Sequence, residues 1–150
     1  MVPKDVLYLE TLGSEIISFY DLLMMNMYYN CTDSCKNTTL CENGGFPHPR
    51  NCSKCICPGG YGGDFCNERP PGCGQVLNAT TQGSVLAVNL TSGEVGPDGL
   101  LRCTYWITAP QGSTIEVKVL ELPIAFDYYD GCPNAGVEIK TRPDQRLTGY

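Results

Sequence analysis

Six of the ten cysteines in this 150-residue chain fall between Cys35 and Cys66, in the run CKNTTLCENGGFPHPRNCSKCICPGGYGGDFC. A segment this short and polar cannot hold itself together with a hydrophobic core, and small modules of its kind use disulfides instead. Six cysteines allow fifteen pairings, and spacing alone does not choose among them. The second half is the most patterned: Cys55-Ile-Cys57, then an eight-residue gap to Cys66 that carries Gly59-Gly60-Tyr61-Gly62-Gly63.

The uneven cysteines argue for modules rather than one core. Ten cysteines with Gly 17 and Pro 11 fit an oxidising, extracellular setting. Five N-x-S/T sequons, at Asn30, Asn37, Asn51, Asn78 and Asn89, point the same way and are candidate glycosylation sites. A net charge of −6 leaves no basic patch for nucleic acid or for an anionic membrane surface. Met1-Val2-Pro3-Lys4-Asp5 is no signal peptide, and the apolar stretch Ile16–Tyr29, broken by Ser18, Asp21 and Asn26, is too short to span a bilayer. The expectation is therefore a secreted piece of a longer chain.

Ser18-Phe19-Tyr20-Asp21 has the form of a capping box, with Ser18 as the N-cap. Phe19, Leu23 and Met27 recur at helical spacing, beside the row Tyr20, Met24 and Tyr28. A helix of roughly three turns is marginal alone and expects a core against its apolar face. Residues 1–31 offer none, so its packing partner is expected outside the chain. At the other end, Glu68–Gly72 reads as a linker and the pattern beyond it turns to period 2. Ser84–Leu90, Leu101–Thr108, Thr114–Leu122 and Gly136–Lys140 read as strands, with turns at Gly96–Gly99 and Pro110–Gly112. Short strands at this spacing predict an antiparallel sandwich.

Three stretches resemble known families. Cys41-Glu42-Asn43-Gly44-Gly45 and the Cys55–Cys66 end resemble an EGF-like module. That resemblance implies the pairs Cys35–Cys52, Cys41–Cys55 and Cys57–Cys66. Cys73-Gly74 and Cys103-Thr104-Tyr105-Trp106-Ile107-Thr108-Ala109-Pro110-Gln111-Gly112 resemble a CUB domain, which implies Cys73–Cys103. Cys132 would open the second CUB disulfide with a partner beyond this chain. Pro3-Lys4-Asp5, Leu12-Gly13, Ile17–Leu22 and Asn26–Cys31 resemble the C-terminal end of an astacin catalytic domain, with Cys31 paired far upstream. The implied fold class is small, modular and extracellular. It comprises the helical tail of a metzincin catalytic domain (1–31), an EGF-like module (32–67), a linker (68–72) and a truncated antiparallel β-sandwich of CUB type (73–150).

Astacins are zinc endopeptidases built on H-E-x-x-H-x-x-G-x-x-H and a Met-turn, with the Glu as general base. This chain has one histidine, His48 in Pro47-His48-Pro49, and Leu23-Met24-Met25 lacks the Met-turn context. No catalytic residue and no metal ligand is assigned: the zinc of the parent enzyme would sit on residues outside this chain, and the chain alone is expected to be inactive. His48 is expected in an exposed loop. Cys52-x-x-Cys55-x-Cys57 also has zinc-ligand spacing, but the extracellular context favours disulfides. Thr32-Asp33-Ser34 carries too few acids for a calcium-binding EGF module. Calcium on a CUB-type site would use acids such as Glu121, Asp127 and Asp130, which alone make no oxygen shell. Trp106 is expected to pack in the core. The implied function is the non-catalytic end of a secreted zinc metalloendopeptidase, positioning extracellular protein substrates or matrix proteins. The alternative is a non-enzymatic extracellular EGF–CUB binding module. A free growth factor is the third reading, and nothing marks release of residues 35–66.

Overall fold

Helix α1, Phe19–Tyr28, starts at a complete capping box. The Asp21 amide donates to Ser18 Oγ, and the Ser18 amide donates to Asp21 Oδ2 at 2.9 Å, so two otherwise orphaned donors are satisfied. The helix ends because Asn30 turns left-handed, with φ of 52°. The amides of Asn30 and Cys31 then fold back onto the carbonyls of Met27 and Asn26, a Schellman closure with asparagine in the usual glycine position.

The structure, a computed structural model, describes residues 2–11, 16–35, 40–90, 94–96, 99–122 and 135–147. They fall into two units, Met1–Pro70 with Tyr128–Tyr150, and Pro71–Asp127.

In the first unit a 3₁₀ turn, Val6–Thr11, precedes α1, and a second one spans Asp33–Cys35. The antiparallel hairpin of β1 (Phe46–His48) and β2 (Asn51–Ile56) follows, with Phe46 opposite Ile56 and an irregular register between Pro47 and His48. Its interior is largely sulfur: Cys35 and Cys66 are wholly buried, and Pro58 and Phe46 fill the space beside them. Gly45 is the tightest point of this interior, since a Cβ there would lie 2.5 Å from Cys66 Sγ and 3.0 Å from the Ile56 carbonyl. Phe19 is buried with its ring 5.5 Å from that of Phe46. The expectation that α1 has no partner within the chain is corrected at this position: the hairpin supplies it. Leu22, Met24, Met25 and Met27, by contrast, are exposed.

The segment 135–147 also belongs to this unit, whereas the CUB resemblance assigns it to the C-terminal module. Gly136–Lys140 is not a strand; the polar side chains that follow it hold the segment on α1 and the hairpin unit instead.

The second unit contains β3 (Val76–Asn78) parallel to β6 (Trp106–Thr108), and β4 (Glu94–Val95) antiparallel to β5 (Leu101–Arg102). The Cys73–Cys103 bridge closes the β3–β6 pair at one end. The single strand expected over Leu101–Thr108 is split at Cys103–Tyr105, and the described residues of Ser84–Leu90 and Thr114–Leu122 join no ladder. Alternating apolar residues define a face, but a strand exists only through its pairing, and here Val85, Val88, Val117 and Val119 remain exposed. Trp106 is half-buried rather than enclosed.

Candidate functional site

The cysteine-rich hairpin and what lies against it form the best-defined feature of the chain. Cys35 is bonded to Cys52, Cys41 to Cys55 and Cys57 to Cys66, while Cys31 is free and exposed. Cys132 lies outside the described residues. Cross-links closing loops of 14 and 17 residues each remove unfolded-state freedom worth about 3 kcal/mol in the chain-entropy model. They substitute for the core that the sequence lacks.

His48 ends β1, half-buried rather than in an exposed loop, because the hairpin turn at Pro49-Arg50 draws it in. Its Nδ1 accepts from the Arg50 amide at 3.1 Å, which commits that nitrogen. Six of the cysteines in this unit are in disulfides, and among the described residues no group of three or more His, Cys, Asp or Glu could hold a metal. A catalytic zinc site needs three converging protein ligands, and the described residues bring no such group together. Glu121 is exposed, and Asp127 and Asp130 lie outside the described residues.

Four sequon asparagines are described, and all four are exposed; Asn37 is outside the described residues. Asn30 terminates α1, and Asn89 lies in the second unit outside any strand. Asn51 Oδ1 accepts from the Ser53 hydroxyl at 2.7 Å and from its amide at 3.2 Å, so this sequon folds back on itself. Asn78 Oδ1 accepts from the Thr108 hydroxyl at 2.7 Å across the β3–β6 pair.

Sequence reasoning missed a polar cluster around Tyr20. Its hydroxyl donates to Asp144 Oδ2 at 2.6 Å, and Arg146 grips the same carboxylate with Nε at 2.8 Å and a terminal nitrogen at 2.9 Å. The Arg146 guanidinium also lies over the Tyr20 ring, 5.0 Å from its centre. Arg146, helped by Tyr20, holds the Asp144 carboxyl well below the usual carboxylate range. The hydrogen bond to Asp144 and burial push the Tyr20 phenol up, and Asp144 raises Arg146. Nearby, the Tyr61 hydroxyl donates to Gln145 Oε1 at 2.9 Å, and burial pushes its phenol up as well. Lys140 Nζ donates to the carbonyls of Gln145 and Leu147, and Arg142 pairs with Asp5 at 3.0 Å. A single exposed ion pair is worth roughly 0–1 kcal/mol, but a bidentate pair that also takes a phenol and an aromatic face is a network of charge-assisted bonds. No local signal in the sequence marks it, because its partners are 124 residues apart.

The chain is similar over its whole length to zinc metalloproteinases of Caenorhabditis elegans. It is 44% identical to zinc metalloproteinase nas-31 over 153 residues, which takes in all of this chain and 25% of that protein. It is 39% identical to zinc metalloproteinase nas-25, covering 99% of this chain and 39% of the relative. It is also 39% identical to zinc metalloproteinase nas-32, covering 99% and 23%. The chain thus spans between about a quarter and two-fifths of the length of these relatives. No protein-family model matches the chain, and no solved structure matches it.

Proposed function

We propose that this chain is the accessory end of a secreted, astacin-like zinc metalloendopeptidase that cleaves extracellular proteins. The observation that carries the reading is the whole-length similarity to zinc metalloproteinases of which the chain spans only a part. In this reading residues 1–31 close the protease domain, 32–67 form an EGF-like module and 73–150 are a CUB-type stretch by sequence, of which 135–147 packs in the first unit. The proteolytic chemistry and its zinc ligands belong to the rest of the protein, and the modules present substrates or matrix partners to it. The exposed asparagines carry glycans, which keep the cysteine-rich region covered. The disulfide-rich hairpin and the absence, among the described residues, of a helix long and apolar enough to cross a membrane are compatible with secretion.

The test is the transcript sequence upstream of the codon for Met1. An upstream frame encoding H-E-x-x-H-x-x-G-x-x-H and a Met-turn is expected. A signal peptide joined directly to Val2 overturns the protease reading and leaves a non-enzymatic binding module.

A further inference from the structure

We infer that residues 140–147 are a latch that fastens helix α1 to the cysteine-rich module through Tyr20, Asp144 and Arg146. The helix has one buried anchor of its own, Phe19 against Phe46. One aromatic contact near the first turn leaves the remaining two turns free to swing or fray, and a ten-residue helix is too short to persist alone. The latch adds a second point of attachment beside the first. Asp144 receives the Tyr20 hydroxyl and the Arg146 fork together, so the helix and the strap share one carboxylate.

The far side of the strap is seated on the module. Tyr61 holds Gln145, and the stem of Arg146 crosses Gly44, where a Cβ would lie 2.7 Å from Arg146 Cγ. Gly44 has φ of 79°, so both its backbone and its missing side chain suit this crossing. The strap is itself pre-shaped: Lys140 ties the carbonyls of Gln145 and Leu147, and the Gln145 amide donates to the Arg142 carbonyl. Helix, strap and module are thus joined in series by named side-chain bonds. Where α1 closes a protease domain, as proposed above, the latch fixes the accessory module against that domain. That consequence rests on the protease reading; the fastening is a property of this chain and is tested on it alone.

The experiment is hydrogen–deuterium exchange on the full 150-residue chain, comparing wild type with Tyr20→Phe, Asp144→Asn and the double variant. Each single variant is expected to lower protection of the α1 amides about tenfold, the loss expected for one charge-assisted hydrogen bond. The double variant is expected to lose little more than Asp144→Asn alone, because the tyrosine hydroxyl acts on the helix only through that carboxylate. Protection in α1 unchanged within about twofold, or fully additive losses, would overturn the latch. If Asp144→Asn scrambles the disulfides, Tyr20→Phe, which removes one hydroxyl, carries the decision alone. None of these outcomes depends on what lies upstream of Met1, so the latch and the protease reading can fail separately.

Discussion

Asp144 is ionised to unusually low pH because a guanidinium fork and a phenol both stabilise its charge. A carboxylate whose folded value is depressed stabilises the fold above the ordinary value near ~3.9 and loses that contribution as pH falls through the folded value. Tyr20 is shifted the other way, so its contribution is full below the ordinary tyrosine value near ~10 and fades as pH rises through the raised one. The attachment of the strap is therefore expected to be constant between about pH 4 and pH 10 and to weaken outside that window. Carbon NMR titration of the Asp144 carboxyl and the Tyr20 ring checks this; an Asp144 midpoint in the ordinary range would remove the fork from the account. Gly45 makes a second claim at this scale. Gly45→Ala drives a methyl into Cys66 Sγ and the Ile56 carbonyl, and overpacking of this kind costs about 1–3 kcal/mol, read as a lowered midpoint in denaturant. Cys31, free and exposed, is expected to take up iodoacetamide in the folded chain, with the six cysteines of the hairpin unit protected; peptide mapping distinguishes them.

At the scale of elements, α1 depends on its cap. Ser18→Ala removes the acceptor for the Asp21 amide and leaves the Asp21 carboxylate without one of its donors, and loss of such a cap costs about 1 kcal/mol. Circular dichroism during chemical denaturation should show the decrease. Ser18-x-x-Asp21 was legible from the sequence because a capping box is written in four consecutive residues. The turn at Asn30 was not, since a left-handed asparagine looks like any other until the helix before it has ended. The same distinction explains the strands. Thr114–Leu122 alternates as a strand should, yet alternation records only which side chains share a face, and the ladder partner is a property of the rest of the fold. The cysteine spacing narrowed the first unit to a disulfide module, but spacing left fifteen pairings open and the choice came from resemblance.

For the whole molecule, the cysteine-rich unit combines neighbours in sequence with a segment from the far end of the chain, and only the neighbours leave a readable trace. Tyr20, Tyr61, Asp144, Gln145 and Arg146 follow no period, so their convergence could be found only in three dimensions. Purified chain is expected to show no stoichiometric zinc and no proteolysis of a denatured protein substrate, because its one histidine leaves no H-E-x-x-H zinc motif. Elemental analysis with a gelatin assay checks both. The order of synthesis adds a further consequence of the Tyr20–Asp144 bond. At roughly 5–20 residues per second, the strap leaves the ribosome roughly 6–25 seconds after the helix it will hold. Cys35 through Cys66 are all available before then, so the bridges can close around a module that is still waiting for its last piece, and for those seconds the Tyr20 hydroxyl has no Asp144 carboxylate to meet.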